Sequence, residues 1–306
     1  MGYDIIGDVH GYASLLCKLL KQMGYEKGEG GYAHPERKAI FTGDFTNRGP
    51  EIRDTLQIIR QMTESGSAYA ILGNHEIYNI LYSLKDGDNP LLKNKKGNRW
   101  LSVQKTVGEF KRYSDEWKSY VRWLRTLPLF VELDGLRVVH AAWCDSHIEL
   151  IRREIPSGKI PKKLFRSLVL NPHSALSQAV LQTTRGVHLV MPTDLKIYDE
   201  RRRAHRFFRV RWWQKPQGLT FERWSFESKF RLPRYTIPPE IIPRTEAYAP
   251  DAPPIFFGHY CRRNGPWIIA DNICCVDACV TAEKQLAAYR WQGESVLTED
   301  NLVIVR

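Results

Sequence analysis

The chain has 306 residues, 43% hydrophobic and 26% charged, with nine Trp. This is enough apolar material for a substantial core, and it excludes a disordered chain. Forty-five Lys and Arg against thirty-four Asp and Glu give a net charge of +11. That field favours anionic partners (nucleotide, phosphoprotein, nucleic acid or an acidic membrane surface) without choosing among them. No run of eighteen apolar residues is present, so no transmembrane helix is expected.

In chain order, residues 3–6 read as a short apolar strand ending at Gly7-Asp8. Strand chemistry thus begins at once, so no signal peptide is expected and a cytoplasmic location is. Residues 14–23 read as a helix through Leu15, Leu16, Leu19 and Leu20. Residues 38–42 form a second strand before Gly43-Asp44, and residues 50–62 a helix with Ile52, Leu56 and Ile59 on one face. Residues 67–72 form a third strand before Gly73-Asn74. This βαβαβ opening sets polar residues at the carboxyl ends of strands, where open α/β sheets place ligands. Right-handed crossovers bring those ends to one edge.

Residues 77–127 read as mostly helical, with a polar loop over 84–98. A hairpin follows over 129–133 and 136–140 around Asp134-Gly135, and its second strand closes on His140. Helix and loop alternate over 146–184. A basic β-ribbon insert then occupies about 187–234, followed by a surface connection over 233–254 that holds seven prolines. Strands resume at 255–257, 267–270, 274–277, 286–291 and 302–305. The whole, 1–306, reads as a single domain carrying these two additions. The six cysteines, Cys17, Cys144, Cys261, Cys274, Cys275 and Cys279, form no disulfide framework by spacing and are expected as buried free thiols in a reducing compartment.

Three segments carry the chemistry: Asp8-Val9-His10-Gly11, Gly43-Asp44-Phe45-Thr46-Asn47-Arg48-Gly49 and Gly73-Asn74-His75-Glu76. Asp8 and His10, two apart at a strand end, can reach one ion. Asp44 and Asn74 hold equivalent positions after the next two strands, and His140 and His259 each end a later apolar strand. Carboxylate, imidazole and amide oxygen suit Mn, Fe or Zn without a thiolate. A bridging carboxylate would hold two such ions roughly 3.5–4 Å apart. Taken singly, an Asp after a strand is more often a turn or helix cap; the joint pattern points to metal.

These motifs closely resemble those of the calcineurin-like metallophosphoesterases, over residues 3–143 and again from about 255 to 294. Val139-His140-Ala141 and Gly258-His259 match the later histidine signatures. Arg48-Gly49-Pro50, and Cys261 where many members carry a second His after His259, lean toward the phosphoprotein phosphatases and the diadenosine tetraphosphatase and PrpE-like enzymes. The resemblance implies an α/β metallophosphoesterase fold (α+β in some schemes), a two-sheet β-sandwich flanked by helices. It also implies two divalent ions, Mn²⁺ foremost with Fe or Zn as alternatives. Asp8 and His10 would bind the first ion with Asp44, which would bridge. Asn74, His140 and His259 would complete the second site. His75 would be the general acid beside the leaving oxygen, Arg48 would hold phosphoryl oxygens, and Arg185 is the candidate second phosphate-binding Arg.

The reaction so implied is hydrolysis of a phosphoester or phosphoanhydride by direct attack of a metal-bridging hydroxide, on a small anionic phosphorylated substrate such as a dinucleoside polyphosphate or other nucleotide. The alternatives are a serine/threonine or tyrosine phosphoprotein phosphatase and a non-catalytic nucleic-acid-binding or scaffold protein; no membrane partner is expected. One departure stands out: Asn47 occupies a position where these phosphatases usually carry Asp, so either His75 is a weaker acid–base group oriented by Asn47, or Glu76 or another carboxylate compensates. In the insert, residues 199–234 interleave Arg with aromatics, either as base-stacking platforms or as an amphipathic ribbon. In the ribbon reading Phe208 and Val210 pack, and Arg209 and Arg211 face solvent.

Overall fold

The structure is a computed structural model that describes residues 1–84, 98–193, 195–200, 202–226, 230–262, 265 and 267–306. Two five-stranded sheets form its centre. In the first, β1 (Gly2–Ile6), β4 (Arg37–Phe41) and β5 (Ala68–Ala70) run parallel, and β16 (Leu286–Trp291) and β17 (Leu302–Val305) extend it antiparallel beside β1. In the second, β7 (Leu136–Val139), β13 (Ile255–Phe257) and β15 (Ile273–Cys275) run parallel between the antiparallel edges β6 (Phe130–Leu133) and β14 (Ile268–Ala270).

The period-two alternation of each strand assigns its two faces. Tyr3, Ile5 and Ile40 of the first sheet meet Leu136, Val138, Phe256 and Cys274 of the second in a core between the sheets. On the outer face of the first sheet, Ile6, Phe41 and Ala288 pack against α1 (Ala13–Gln22) and α2 (Ile52–Glu64). On the outer face of the second, Val139, Ile255, Phe257 and Cys275 meet the insert. This is the expected helix-flanked two-sheet sandwich.

Helices run over Asn98–Glu109, Ser114–Leu124, Asp145–Glu154, Lys162–Leu170 and Ala175–Arg185, as the 77–127 and 146–184 patterns implied. The loop expected over 84–98 lies almost wholly outside the described residues, as does Arg201 of the basic block. A short hairpin, β2 (Glu26–Gly28) with β3 (Gly31–Ala33), was not expected; β2 is exposed throughout and carries no apolar signal.

In the insert, β8 (His188–Val190) pairs with β11 (Phe207–Arg209), while β9 (Ile197–Asp199) pairs with β10 (Ala204–His205) and β12 (Phe230–Arg231). Its aromatics are mostly core: Phe208, Trp212, Phe221 and Trp224 are fully buried, and Trp212 and Trp213 pack on Phe257. The Pro-rich stretch is not wholly superficial, since Ile237 and Tyr248 are buried in this same core.

The cysteine expectation needs correction: Cys261 and Cys279 form a disulfide across a sequence separation of 18. Spacing along the chain could not reveal it. The parallel pairing of β13 with β15 brings the loops after both strands together. Cys17, Cys144, Cys274 and Cys275 are free thiols, all but Cys17 buried.

Because Trp224 is buried, and its Nε1 donates to the Arg211 carbonyl at 3.1 Å, Trp224→Ala is expected to cost about 3–5 kcal/mol in urea unfolding. Phe207→Ala, at an exposed position of the same insert, is expected to stay within about 0.5 kcal/mol. Equal costs would show that the aromatics of the insert do not form a core.

Candidate metal centre

Asp8 and His10 follow β1, Asp44 follows β4, His140 follows β7 and His259 follows β13, while Asn74 and His75 open α3 (Asn74–Ser83) after β5. Parallel pairing within each sheet sets these strand ends at one edge, and the sandwich brings the two edges together. Five of the residues involved hold left-handed backbone: His10 (φ 46°), Asp44 (52°), Asn47 (67°), Arg48 (65°) and His259 (61°). Such backbone is costly for side-chain-bearing residues and persists where surroundings over-determine it.

The surroundings here are specific. Glu76 is fully buried and accepts hydrogen bonds from the amides of Asp44 (2.7 Å), Phe45 (3.1 Å), Thr46 (3.1 Å) and Gly73 (3.1 Å) and from the Thr46 hydroxyl (2.7 Å). Burial and the neighbouring Asp44 push Glu76 up to about 7, opposed by the Thr46 hydroxyl, His140 and the Asp44 amide. The amide of His75, in the first turn of α3, donates to Asp44 Oδ1 at 2.9 Å, where the helix N-terminus favours negative charge. A side chain at Gly73 would strike the Asp44 carboxylate, and one at Gly258 would strike Asp8.

Asp44 is the common member of two clusters, one with His10 and His75 and one with His140 and His259, each with its ligand atoms within 4.8 Å of one another. His10 Nε2 lies 3.7 Å from Asp44 Oδ2 and 4.0 Å from Asp8 Oδ2. His140 Nε2 lies 3.4 Å from Asp44 Oδ1 and 3.3 Å from Asn74 Oδ1. The His259 amide donates to Asp8 at 3.2 Å.

The Nδ1 atoms of His10 and His140 face backbone carbonyls, of Thr46 at 3.1 Å and Thr42 at 2.7 Å. A carbonyl only accepts, so Nδ1–H donates in both rings, and in a neutral ring the Nε2 lone pair faces the carboxylates. The centre thus favours positive charge between its members. Burial opposes a charge on His140, yet Asp44 and Asp8 push it up to about 10. The Asp44 carboxyl, despite its burial, is held well below the usual range by His140, His75 and His10.

His75 differs. The Asn79 side-chain amide donates to the His75 carbonyl at 3.0 Å, so its Nδ2 is fixed, and the same group donates to Asn47 Oδ1 at 3.2 Å. With the Thr106 hydroxyl also on Asn47 Oδ1 at 2.6 Å, Asn47 Nδ2 is the atom that meets His75 Nδ1 at 2.7 Å. His75 Nδ1 therefore accepts, and the ring carries its proton on Nε2, the atom 3.9 Å from Asp44. A protonated nitrogen is no metal ligand, which separates His75 from His10 and His140. Burial brings His75 down to about 4. Glu76, spent on backbone amides, does not compensate for Asn47.

A cavity of about 290 Å³ opens on Asp8, His10, Asp44 and His259, and Arg48, Arg185 and Arg209 line it. The sequence reading placed Arg209 in solvent. Instead its guanidinium donates to the His259 carbonyl at 2.7 Å and lies over the rings of Tyr260 and Phe226. The side of the ribbon away from the core is here a wall of the cavity. Asp277 and Tyr78, which also line it, were missed as well. The position of Asp277 after an apolar strand, like those of Asp8 and Asp44, was the signal available.

A sequence model of the calcineurin-like phosphoesterases matches residues 1–262. The chain belongs to this family. Among similar proteins is the asymmetrical bis(5'-nucleosyl)-tetraphosphatase PrpE of Geobacillus sp. (strain WCH70), 35% identical over 147 residues that cover 46% of this chain and 56% of that one. The protein of the same name from Bacillus subtilis (strain 168) is 34% identical over 149 residues, 46% of this chain and 57% of that one. The chain spans about half the length of the curated relatives it matches. Among solved structures, the cold-active protein-tyrosine phosphatase of a Shewanella species aligns over 94% of this chain and 75% of that one at 17% identity and a TM-score of 0.48. No helix among the described residues is long and apolar enough to cross a membrane.

Calcineurin-like phosphoesterases use a dinuclear metal centre. The groups around Asp44 fit such a centre: oxygen and imidazole donors, one carboxylate shared between His10 with Asp8 on one side and His140 with His259 on the other, and outer carbonyls that fix the ring tautomers. Asp44→Ala is expected to abolish Mn²⁺ binding altogether, whereas His259→Ala should lose one of two equivalents. Titration calorimetry with metal analysis of the dialysed protein reads both; two equivalents retained by Asp44→Ala would dismiss the shared role.

Proposed function

We propose that this chain is a metal-dependent phosphohydrolase acting on a phosphoanhydride in a dinucleoside polyphosphate or other nucleotide. The observation that carries this reading is the convergence of Asp8, His10, Asp44, Asn74, His140 and His259 beside a cavity lined by three arginines. On it, Asp8, His10 and Asp44 hold one cation and Asp44, Asn74, His140 and His259 the other, with Mn²⁺ the foremost candidate. Two such ions, when bound, supply an activated water and neutralise phosphoryl oxygens.

The chain's own residues supply the rest. Arg48 and Arg185 offer planar forks that suit phosphate oxygens. His75 presents Nε2–H to the departing oxygen. It does so as a neutral hydrogen-bond donor, because a proton on Nδ1 would oppose the Asn47 amide N–H. A leaving phosphate, whose own second pKa is near 6, needs no more help than that. A serine or tyrosine oxygen, far more basic, needs a full proton. The geometry of Asn47 thus favours the anhydride over the phosphoprotein, and the names of the PrpE relatives agree.

The test is incubation of metal-stripped, Mn²⁺-reloaded protein with diadenosine tetraphosphate and with a phosphoserine peptide, with products resolved by chromatography. Mn-dependent cleavage of the dinucleotide with the peptide intact is expected; the reverse preference would overturn the reading. Asn47→Asp should let Nδ1 of His75 donate and raise its pKa. Peptide turnover is then expected to rise about tenfold relative to dinucleotide turnover, at the low end of general-acid effects. An unchanged ratio would mean that Asn47 does not set the acidity of His75.

A further inference from the structure

We propose that a second cavity, next to Arg185, is a nucleoside subsite that takes the base and ribose of a nucleotide whose phosphates lie at the candidate centre; the proposal rests on the nucleotide reading above. This cavity is about 320 Å³, and Arg185 and His188 line both it and the cavity at the centre. Its size falls at the lower end of small-molecule sites, fit for one nucleoside rather than a dinucleotide. Arg185 stands between the two spaces, where a phosphate chain would pass from one to the other.

The walls suit a base. Val190 and Phe207 are partners across β8 and β11, and they are 62% and 50% exposed. Among the aromatics from Phe207 to Phe226, Phe207 alone is exposed. The His188 ring meets it edge-on, with centroids 5.3 Å apart at 81°, which orients the ring. An aromatic face beside a cationic path is a stacking platform for a base.

Gln182 lines the same cavity, and its buried Oε1 has no hydrogen-bond partner among the described residues. A buried acceptor is normally paired; with a rotation of the Gln182 side chain toward the cavity, the exocyclic amine or ring N–H of a base would supply the donor. The phenyl ring of a phosphotyrosine does not, which favours a nucleoside over an aromatic peptide side chain.

The experiment measures adenosine 5'-monophosphate binding to the Mn²⁺-loaded full chain by calorimetry, beside KM for diadenosine tetraphosphate relative to KM for inorganic tripolyphosphate. Phe207→Ala is expected to weaken the monophosphate about tenfold relative to inorganic phosphate and to raise the KM ratio by a similar factor, in line with the loss of one base stack. Phe207→Tyr should restore both, and Gln182→Met should weaken the monophosphate severalfold. Equal affinity for wild type, Phe207→Ala and Gln182→Met would overturn the subsite even if the dinucleotide is cleaved. Phe207-dependent binding without dinucleotide cleavage would keep the subsite and sink the dinucleotide reading. A phosphotyrosyl peptide that needs Phe207 where the monophosphate does not would overturn the proposal in favour of a peptide.

Discussion

The rest of the site depends on one constraint, a carboxylate that must stay ionised while fully buried. Asp44 is removed from water, and the effective penalty for burying such an ion is several kcal/mol even after relaxation. What offsets it comes from three parts of the fold at once: the His75 amide and imidazole at the start of α3, the imidazole of His10 after β1 and that of His140 after β7. None of these is local to Asp44 in the chain. The two sheets have to close on each other before the charge is tolerable, so sandwich assembly and site assembly are one event.

The strained backbone follows from the same demand. Asp44, Asn47 and Arg48 sit in left-handed conformations because the segment must turn its carboxylate inward and its Arg toward the cavity within five residues. Glu76 makes that turn tolerable by accepting three consecutive amides from it, so a buried acid that touches no substrate shapes the loop that would. The glycine at 73 then has a plain reason: helix α3 can bring the His75 amide onto Asp44 only if nothing projects between them.

Much of this was legible in the sequence because parallel pairing turns short local motifs into neighbours. D-x-H, G-D and G-N-H each follow an apolar run, and strands that run side by side must end side by side. What was not legible depended on which elements pair over long distance and which face they show. The Cys261–Cys279 bond needed the β13–β15 pairing. Arg209 was read correctly as pointing away from Phe208 and Val210. That this outward side looks into the cavity depends on how the ribbon sits on β13 and the His259 loop, and no local pattern encodes that docking. The hairpin at β2 and β3 escaped because an exposed polar strand has no hydrophobic period to detect.

The Asn47–His75 pair and the insert bear on one question, the nature of the leaving group, from opposite ends. Asn47 removes the means of making His75 a strong acid, so with His75 in the role proposed for it the site would suit a departing oxygen that is already stable as an anion. The insert adds Arg209 beside Arg48 and Arg185, and an apolar wall beyond Arg185. Three guanidinium groups exceed what a single phosphoryl group can engage bidentately, and they suit an extended polyanion. A nucleoside phosphate, the leaving group of the proposed reaction, is both a stable anion and one end of a polyanion. On the proposed function, weak acid catalysis and a long cationic path would be two aspects of one specificity: binding energy that a small phosphomonoester cannot collect along the path would take the place of the proton that His75 does not give.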